Sequence, residues 1–472
     1  MVFISQWDFG GMKLEKMIEE KKAGEPVREN KMGTMPVGKL MLSMAWPAIL
    51  SMIIQALYNV VDSIFVAMVS ESALAAVTLV FPVQLLLVAV GIGTGVGVNS
   101  VIARRLGEKR FEDADLTASH GFRISFINWA VFALFGLFFA RMYMGIYSNS
   151  QFIRVDGGYY LQILTICSLF VFVQVNTEKT LQATGNMIMP MLCSLSGALV
   201  NIVFDPILIF GIGPFPNMGL VGAAVATVFG QFVSMCLGLV LLFGFKHQVK
   251  VHIKGFKFSI KIIEDIYAVA IPAMLMQSIG SVMLFCVNGI LAASETAVAV
   301  LGSYFRLQSF IFMPVFGLNQ GTMPIIGYNY GARNRERLMK TYKLGLATAV
   351  IIMGIGVLIF MTLPDRLLML FSASDNMLAI GVPALRILSL CFLPAAFGIM
   401  TVTLFQATGH GILSLWQSLI RQLVGIVPLA WIFNFIGGVS MVWWAWPAAE
   451  LIGAAYTVLV IQHLYKKEFA NL

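Results

Sequence analysis

Charged residues are scarce in this chain of 472 residues. Asp, Glu, Lys and Arg together make up 11% of the sequence, whereas a soluble domain holds about 25%. Hydrophobic residues reach 59%, and the mean hydropathy is +0.86. This balance excludes an ordinary soluble protein. A chain of this length has room for about a dozen membrane spans of roughly 20 residues each, so the composition predicts a polytopic membrane protein.

The side chains that usually perform covalent chemistry are also few. The five cysteines lie in apolar runs without metal-ligand spacing, and the five histidines form no cluster along the sequence. The glycine-rich stretch Gly91–Gly97 lacks the Gly-Lys-Ser/Thr ending of a phosphate-binding loop. We therefore expect neither an enzyme nor an ATP-driven pump, and no cofactor.

Long apolar runs dominate what is present. A polar tail, residues 1–36, precedes them and lacks the features of a cleavable signal peptide. The runs predict an all-α membrane protein with twelve transmembrane helices. They lie at about 40–69, 76–102, 122–146, 158–180, 187–212, 219–245, 263–292, 298–328, 341–363, 381–404, 412–436 and 441–464.

Lysine and arginine set the predicted orientation. Most of the 31 basic residues fall in alternate loops and in the two chain ends, if the amino terminus is placed inside. Because cytoplasmic loops are enriched in these residues, we expect both termini in the cytoplasm. The net charge of +8 is then explained by contact with anionic membrane lipid, and no nucleic-acid partner is expected.

The chain repeats itself at an offset of 224 residues. Leu181–Gly185 recurs as Phe405–Gly409, and Gly107 corresponds to Gly331. Six helices per repeat would place both repeats in the membrane with the same orientation. We therefore predict an N-lobe at 37–246, a basic cytoplasmic linker at 247–261 and a C-lobe at 262–467, related by a pseudo-two-fold axis along the membrane normal.

The first apolar helix contains a carboxylate. Asp at the centre of a membrane helix costs roughly 2.5–3.5 kcal/mol, and Gln55, Asn59 and Asp62 share one helix face. That face should line a polar cavity. Pro47 lacks a backbone N–H and offers a bend in the same helix.

A second polar set lies at the same predicted depth. Asn201 and Asp205 are one helical turn apart, and Thr227 lies on the next helix. With Asp62, these oxygen ligands would suit Na⁺, and two nearby carboxylates would tend to share a proton. We predict a cation-coupling site for H⁺ or Na⁺ at Asp62, Asn201, Asp205 and Thr227. A static hydrogen-bonded network is the alternative.

The second repeat lacks this set. Its deep acid is Glu450, which Arg421 on the preceding helix could meet. We interpret the pair as structural, with a role in transport as the alternative. The substrate cavity is expected to include side chains from both repeats. They are Gln55, Asn59, Tyr160, Gln277 and Asn288.

Together these motifs resemble the multidrug and toxic compound extrusion (MATE) transporters. The resemblance rests on Pro47 and Asp62 in the first helix, the Asn201-x-x-x-Asp205-Pro206 motif, Gly222–Thr227 and the paired Gln-Ala-Thr-Gly turns. It covers about residues 31–467, and the bacterial MepA-like branch is the most similar. Some members also use acids in the C-lobe, but Gln277, Ser278 and Asn288 are neutral here, so we expect no second coupling site there.

The resemblance implies cation-coupled antiport of amphipathic organic cations against Na⁺ or H⁺. It implies a multi-pass protein of the bacterial cytoplasmic membrane, with small drug-like substrates and lipid as partners; we expect a monomer. Its implied coupling residues are the same Asp62, Asn201, Asp205 and Thr227, and its implied helix bend is at Pro47. A lipid-linked precursor flippase of the same superfamily is the alternative, and a ligand-gated channel is a more distant one.

Overall fold

The computed structural model describes residues 30–147, 150–252, 258–371 and 373–472, without the side chains of residues 59, 60, 63, 67, 71 and 471. Most of the predicted tail 1–36 and the middle of the predicted linker 247–261 therefore lie outside the described part. Within that part the chain is almost entirely helical and contains no β-strand. The predicted all-α fold class is confirmed.

Twelve spans follow one another along the chain. Eleven helices of the described part are long and apolar enough to cross a membrane, and one pair bent by 46° makes a twelfth. The spans are α1 (Val37–Val69), α2 (Glu71–Gly107), α3 (Phe111–Tyr147), α4 (Ile153–Ala183), α5 (Ile188–Phe210), α6 (Gly219–Gly244), α7 (Ile260–Leu291), α8 (Glu295–Gly331), α9 (Arg335–Thr362), α10 (Asp375–Ser389 with Phe392–Thr408), α11 (Gly411–Gly437) and α12 (Val439–Lys467). We call α1–α6 the amino half and α7–α12 the carboxyl half.

The repeat seen in the sequence reappears in local geometry. Ser70 and Ser294, which are 224 residues apart, each accept a hydrogen bond from the backbone N–H three residues later and so cap α2 and α8. Gly185 and Gly409 both adopt left-handed backbone, with φ of 89° and 92°. Equivalent positions thus begin and end helices in the same way in the two halves.

Two helices pack across the boundary between the halves. The start of α1, including Leu40 and Met44, is buried in the core of the carboxyl half, while Val66 near its end belongs to an amino-half cluster. In the same way Ile266 of α7 packs in an amino-half cluster, and Val287 packs in the carboxyl half. The first and seventh helices therefore connect the two halves through packing as well as through the chain.

The described contacts between the halves gather at one side of the molecule. Gly107 of α2 and Gly331 of α8 cross so closely that a Cβ on either would overlap the backbone of the other helix. Nearby, Ser100 donates to the carbonyl of Gln406 at 2.5 Å, and Lys179 donates to Gln320 Oε1 at 2.9 Å. We call this side, which also carries Asn30 and Leu472, the basic side.

Candidate functional site

Asp62 on α1 and Asp205 on α5 come together away from the basic side. Their carboxyl groups lie within hydrogen-bonding reach of each other. Asp205 is fully buried. Oδ1 of Asp62 is buried and has no hydrogen-bond partner among the described residues. Two carboxylates at this distance repel each other unless a proton or another cation lies between them.

Asn201 links this pair to α6. In the orientation that satisfies both ends of its amide, the nitrogen donates to Asp205 Oδ2 at 2.9 Å and the oxygen accepts from the backbone N–H of Thr227 at 3.2 Å. Asn201 is 2% exposed and Thr227 is 5% exposed. The structure thus brings all four predicted coupling residues together, with Asp62 partly buried and the other three buried, although their role in coupling stays a prediction.

Glycines explain why α6 approaches α5 so closely. A Cβ on Gly230 would lie 2.7 Å from the carbonyl oxygen of Gly197 and 3.2 Å from Cβ of Asn201. A Cβ on Gly222 would lie 2.5 Å from the carbonyl oxygen of Leu208. Because neither position carries a side chain, the two helices touch through their backbones, which places Thr227 beside Asn201.

Two tyrosines complete the site. The Tyr58 side chain lies close to that of Thr227. Tyr160 is 2% exposed, and its hydroxyl lies close enough to Asp62 and Asp205 to interact electrostatically with them. Tyr160 was predicted as a cavity residue, and that role stays a prediction. Tyr58 was not predicted, although its place one turn before Asp62 on the same face was a usable signal.

Pro47 lies inside α1, between the start of the helix and the carboxylate. The structure continues α1 through this residue without a break. Ser51 Oγ donates to the carbonyl of Pro47 at 3.0 Å. The proline leaves the carbonyl of Ser43 without its helical N–H partner, so the backbone is weaker there. Bending at Pro47 stays a prediction.

The roles of the remaining predicted cavity residues stay predictions. Gln55 and Gln277 are exposed. Asn288 borders an apolar cavity of about 640 Å³, together with Phe285, Val427 and Trp431. The side chain of Asn59 lies outside the described part of the chain.

In the carboxyl half, Arg421 and Glu450 form a buried ion pair. Arg421 Nη1 donates to Glu450 Oε1 at 2.9 Å, and the two side chains are 17% and 7% exposed. Arg421 lies in a π-helical turn, Ile420–Ile426, and its stem packs against Gly453 of α12. The pair is internally neutralised, which favours the structural interpretation.

We expect Arg421→Met to destabilise the protein by about 3–5 kcal/mol, because it leaves the Glu450 carboxylate buried and unpaired. The double variant Arg421→Met/Glu450→Leu should recover most of that loss, since no charge is then buried. Thermal unfolding of the purified chain in detergent measures both. A double variant no more stable than the single one would show that the pairing is not what stabilises this region.

These features define an integral membrane protein of two equivalent six-helix halves, with a pair of neighbouring aspartates in the amino half. A sequence model described as MatE matches residues 47–207 and 269–432, one segment in each half. The chain belongs to the MatE family, the MATE transporters.

Curated relatives and solved structures agree with this assignment. A protein named multidrug export protein MepA, from Staphylococcus haemolyticus, is 26% identical over 429 residues, which cover 90% of this chain and 93% of the relative. A protein named FAD transporter, from Shewanella oneidensis, is 27% identical over 88% of this chain and 92% of its own. A solved structure described as the outward-facing conformation of a MATE family multidrug resistance transporter is 28% identical, with a TM-score of 0.86, and covers 94% of this chain and 100% of its own.

Proposed function

We propose that this chain is a cation-coupled antiporter that exports amphipathic organic cations from the cytoplasm. The observation that carries the proposal is the Asp62–Asp205 pair inside the membrane helices, because intramembrane carboxylates usually mark ion pathways. The similarity of the chain to proteins named for multidrug export supports drug-like molecules as its substrates.

H⁺ or Na⁺ would act as the coupling ion at Asp62 and Asp205. A proton or a sodium ion between the two carboxyl groups removes their repulsion and allows them to stay close. Loss of that cation restores the repulsion, which favours their separation. Since the carboxyl groups belong to α1 and α5, binding and release of the ion would change how these helices pack, with Pro47 as the weak point in α1.

The basic side would face the cytoplasm, with the lobes at 37–246 and 262–467 closed against each other there. The concentration of lysine and arginine supports this orientation, and the close crossing of Gly107 and Gly331 supports closure. In this arrangement the opening between the lobes would face outward, with both termini in the cytoplasm.

The membrane potential can drive such export when more positive charge enters with the coupling ions than leaves with the substrate. Each net charge that moves inward across 100 mV releases about 2.3 kcal/mol, which sustains roughly a fifty-fold substrate gradient at 1.4 kcal/mol per tenfold ratio. No nucleotide is required for accumulation of this size.

Flux in liposomes that contain the purified chain tests the proposal. Ethidium uptake is measured under an imposed pH gradient, an imposed Na⁺ gradient, or neither, and FAD is run in parallel because one relative is named for it. We expect ethidium to accumulate against its own gradient under one of the two ion gradients. Flux that only follows the substrate gradient under every condition would show an uncoupled pathway instead.

A further inference from the structure

A groove on the basic side lies between the start of α9 and the end of α12. Its volume is about 1050 Å³. The lining includes three cationic side chains and one carboxylate, Glu336, together with apolar and aromatic groups. The lining residues include Arg335, Lys340, Lys343, Leu344, Ala347 and Tyr465. The groove does not include any residue of the Asp62–Asp205 site.

One corner of the groove is held in place by α12. The guanidinium carbon of Arg335 lies 4.8 Å from the ring centroid of Tyr465, and Arg335 Nη2 donates to the Tyr465 hydroxyl. A guanidinium stacked on an aromatic ring in this way is restricted in position but keeps other N–H groups available. Arg335 is therefore already oriented for an anionic ligand.

The two lysines of the groove have free charges. Lys340 and Lys343 are exposed, and neither forms a salt bridge within 4.0 Å among the described residues. They lie one to two helical turns beyond Arg335 on α9, so the three cations extend over roughly 12 Å at the helix start. That length spans the polar headgroup layer of one leaflet, which is roughly 5–8 Å thick.

Beyond the lysines, the same helix presents an apolar strip. Ile351, Ile355 and Leu358 are 64%, 55% and 63% exposed. At 1.5 Å per residue they lie roughly 12–22 Å from Lys343, within and just beyond one half of the hydrocarbon layer. A ligand with a negative head and long apolar tails matches both the charge and the depth of this surface.

The equivalent helix start in the amino half differs. α3 carries Glu112, Asp113 and Asp115 in its first turns, and the positions that correspond to Lys340 and Lys343 hold Leu116 and Ser119. The cationic groove therefore does not follow from the repeated fold. It is a separate feature of the carboxyl half.

We propose that this groove binds the headgroup of an anionic phospholipid from the leaflet on the basic side. The phosphate lies among Arg335, Lys340 and Lys343, and the acyl chains follow the apolar strip of α9. Basic pockets between membrane helices bind anionic lipid headgroups by the same electrostatic attraction. Lipid bound there bridges α9 and α12, because Arg335 is held by Tyr465.

Lipid retention by the purified full-length chain tests the site. Native mass spectrometry measures how much phosphatidylglycerol and how much phosphatidylcholine, with the same acyl chains, stay bound to the protein. Two lysines near an anionic headgroup are expected to give a roughly thirty-fold preference for phosphatidylglycerol. The variant Lys340→Gln/Lys343→Gln should lose that preference, and about 0.5 M salt should weaken it in the unaltered chain.

The control variant Lys246→Gln/Lys250→Gln removes the same charge from the basic side but lies outside the groove, and it should keep the preference. Thermal unfolding without added lipid verifies that both variants fold. Equal retention of the two lipids, or full preference in Lys340→Gln/Lys343→Gln, would overturn the proposal. Displacement of phosphatidylglycerol by inorganic phosphate at the same concentration would also overturn it, since the groove would then be a site for free anions.

Discussion

Asp205→Asn is expected to abolish gradient-driven export while the protein still folds. The amide has the size of the carboxyl group and can keep a hydrogen bond to Asn201, but it can neither release a proton nor supply a negative charge to Na⁺. Interactions with a charged partner contribute about 1.5–3 kcal/mol, so the affinity for the coupling ion should fall roughly ten- to a hundredfold. Ethidium accumulation in liposomes under the effective ion gradient measures the loss.

Two further variants test whether the loss of transport is specific to the Asp62–Asp205 site. Asp365→Asn is the same chemical change at an exposed position, and it should leave accumulation unchanged. Asp62→Asn should behave like Asp205→Asn, because the two carboxyl groups lie within hydrogen-bonding reach. Full, gradient-dependent transport by either site variant at normal protein yield would exclude the pair as the coupling site.

Gly107→Val is expected to open the contact between the halves on the basic side. A Cβ at Gly107 would overlap the carbonyl oxygen of Tyr328 and come within 2.8 Å of the backbone nitrogen of Ala332. Since both obstacles are backbone atoms, α2 and α8 must move apart. Overpacking inside a protein costs 1–3 kcal/mol, occasionally more, and we expect a loss of about 3 kcal/mol here. Thermal unfolding in detergent measures it.

A matched glycine provides the control. Gly302 lies on α8, and a Cβ there would meet no atom within 4 Å. Gly302→Val should therefore cost little, whereas Gly331→Val should behave like Gly107→Val, because a Cβ at Gly331 would overlap the carbonyl oxygen of Arg104. Equal stability of Gly107→Val and Gly302→Val would contradict the close crossing of the two helices.

The number of spans could be predicted because a membrane imposes long apolar runs. The ends of the helices were harder to predict from the sequence. α3 begins at Phe111, well before the predicted run at 122–146, since its first turns are polar and leave no apolar signal. The π-helical turn around Arg421 was also not predicted, because it depends on packing between neighbouring helices rather than on composition.

The candidate site was predictable for a different reason. Acids inside apolar helices are rare, so Asp62 and Asp205 stood out, and counting residues from the helix ends placed Asn201 and Thr227 at the same depth. The contacts of Tyr58 and Tyr160 depend on how α1, α4 and α6 are rotated, which hydropathy does not report. The packing of α1 and α7 across the boundary between the halves could not be predicted for the same reason.

The position of α1 has a thermodynamic consequence. One end of this helix is embedded in the carboxyl-half core around Met44 and Leu40, and the other carries Asp62. If cation binding at Asp62 changes the packing at the far end by some factor, a change at the far end must alter cation affinity by the same factor, because linkage is reciprocal. Substitutions around Met44, remote from both carboxylates, would then change the ion dependence of transport.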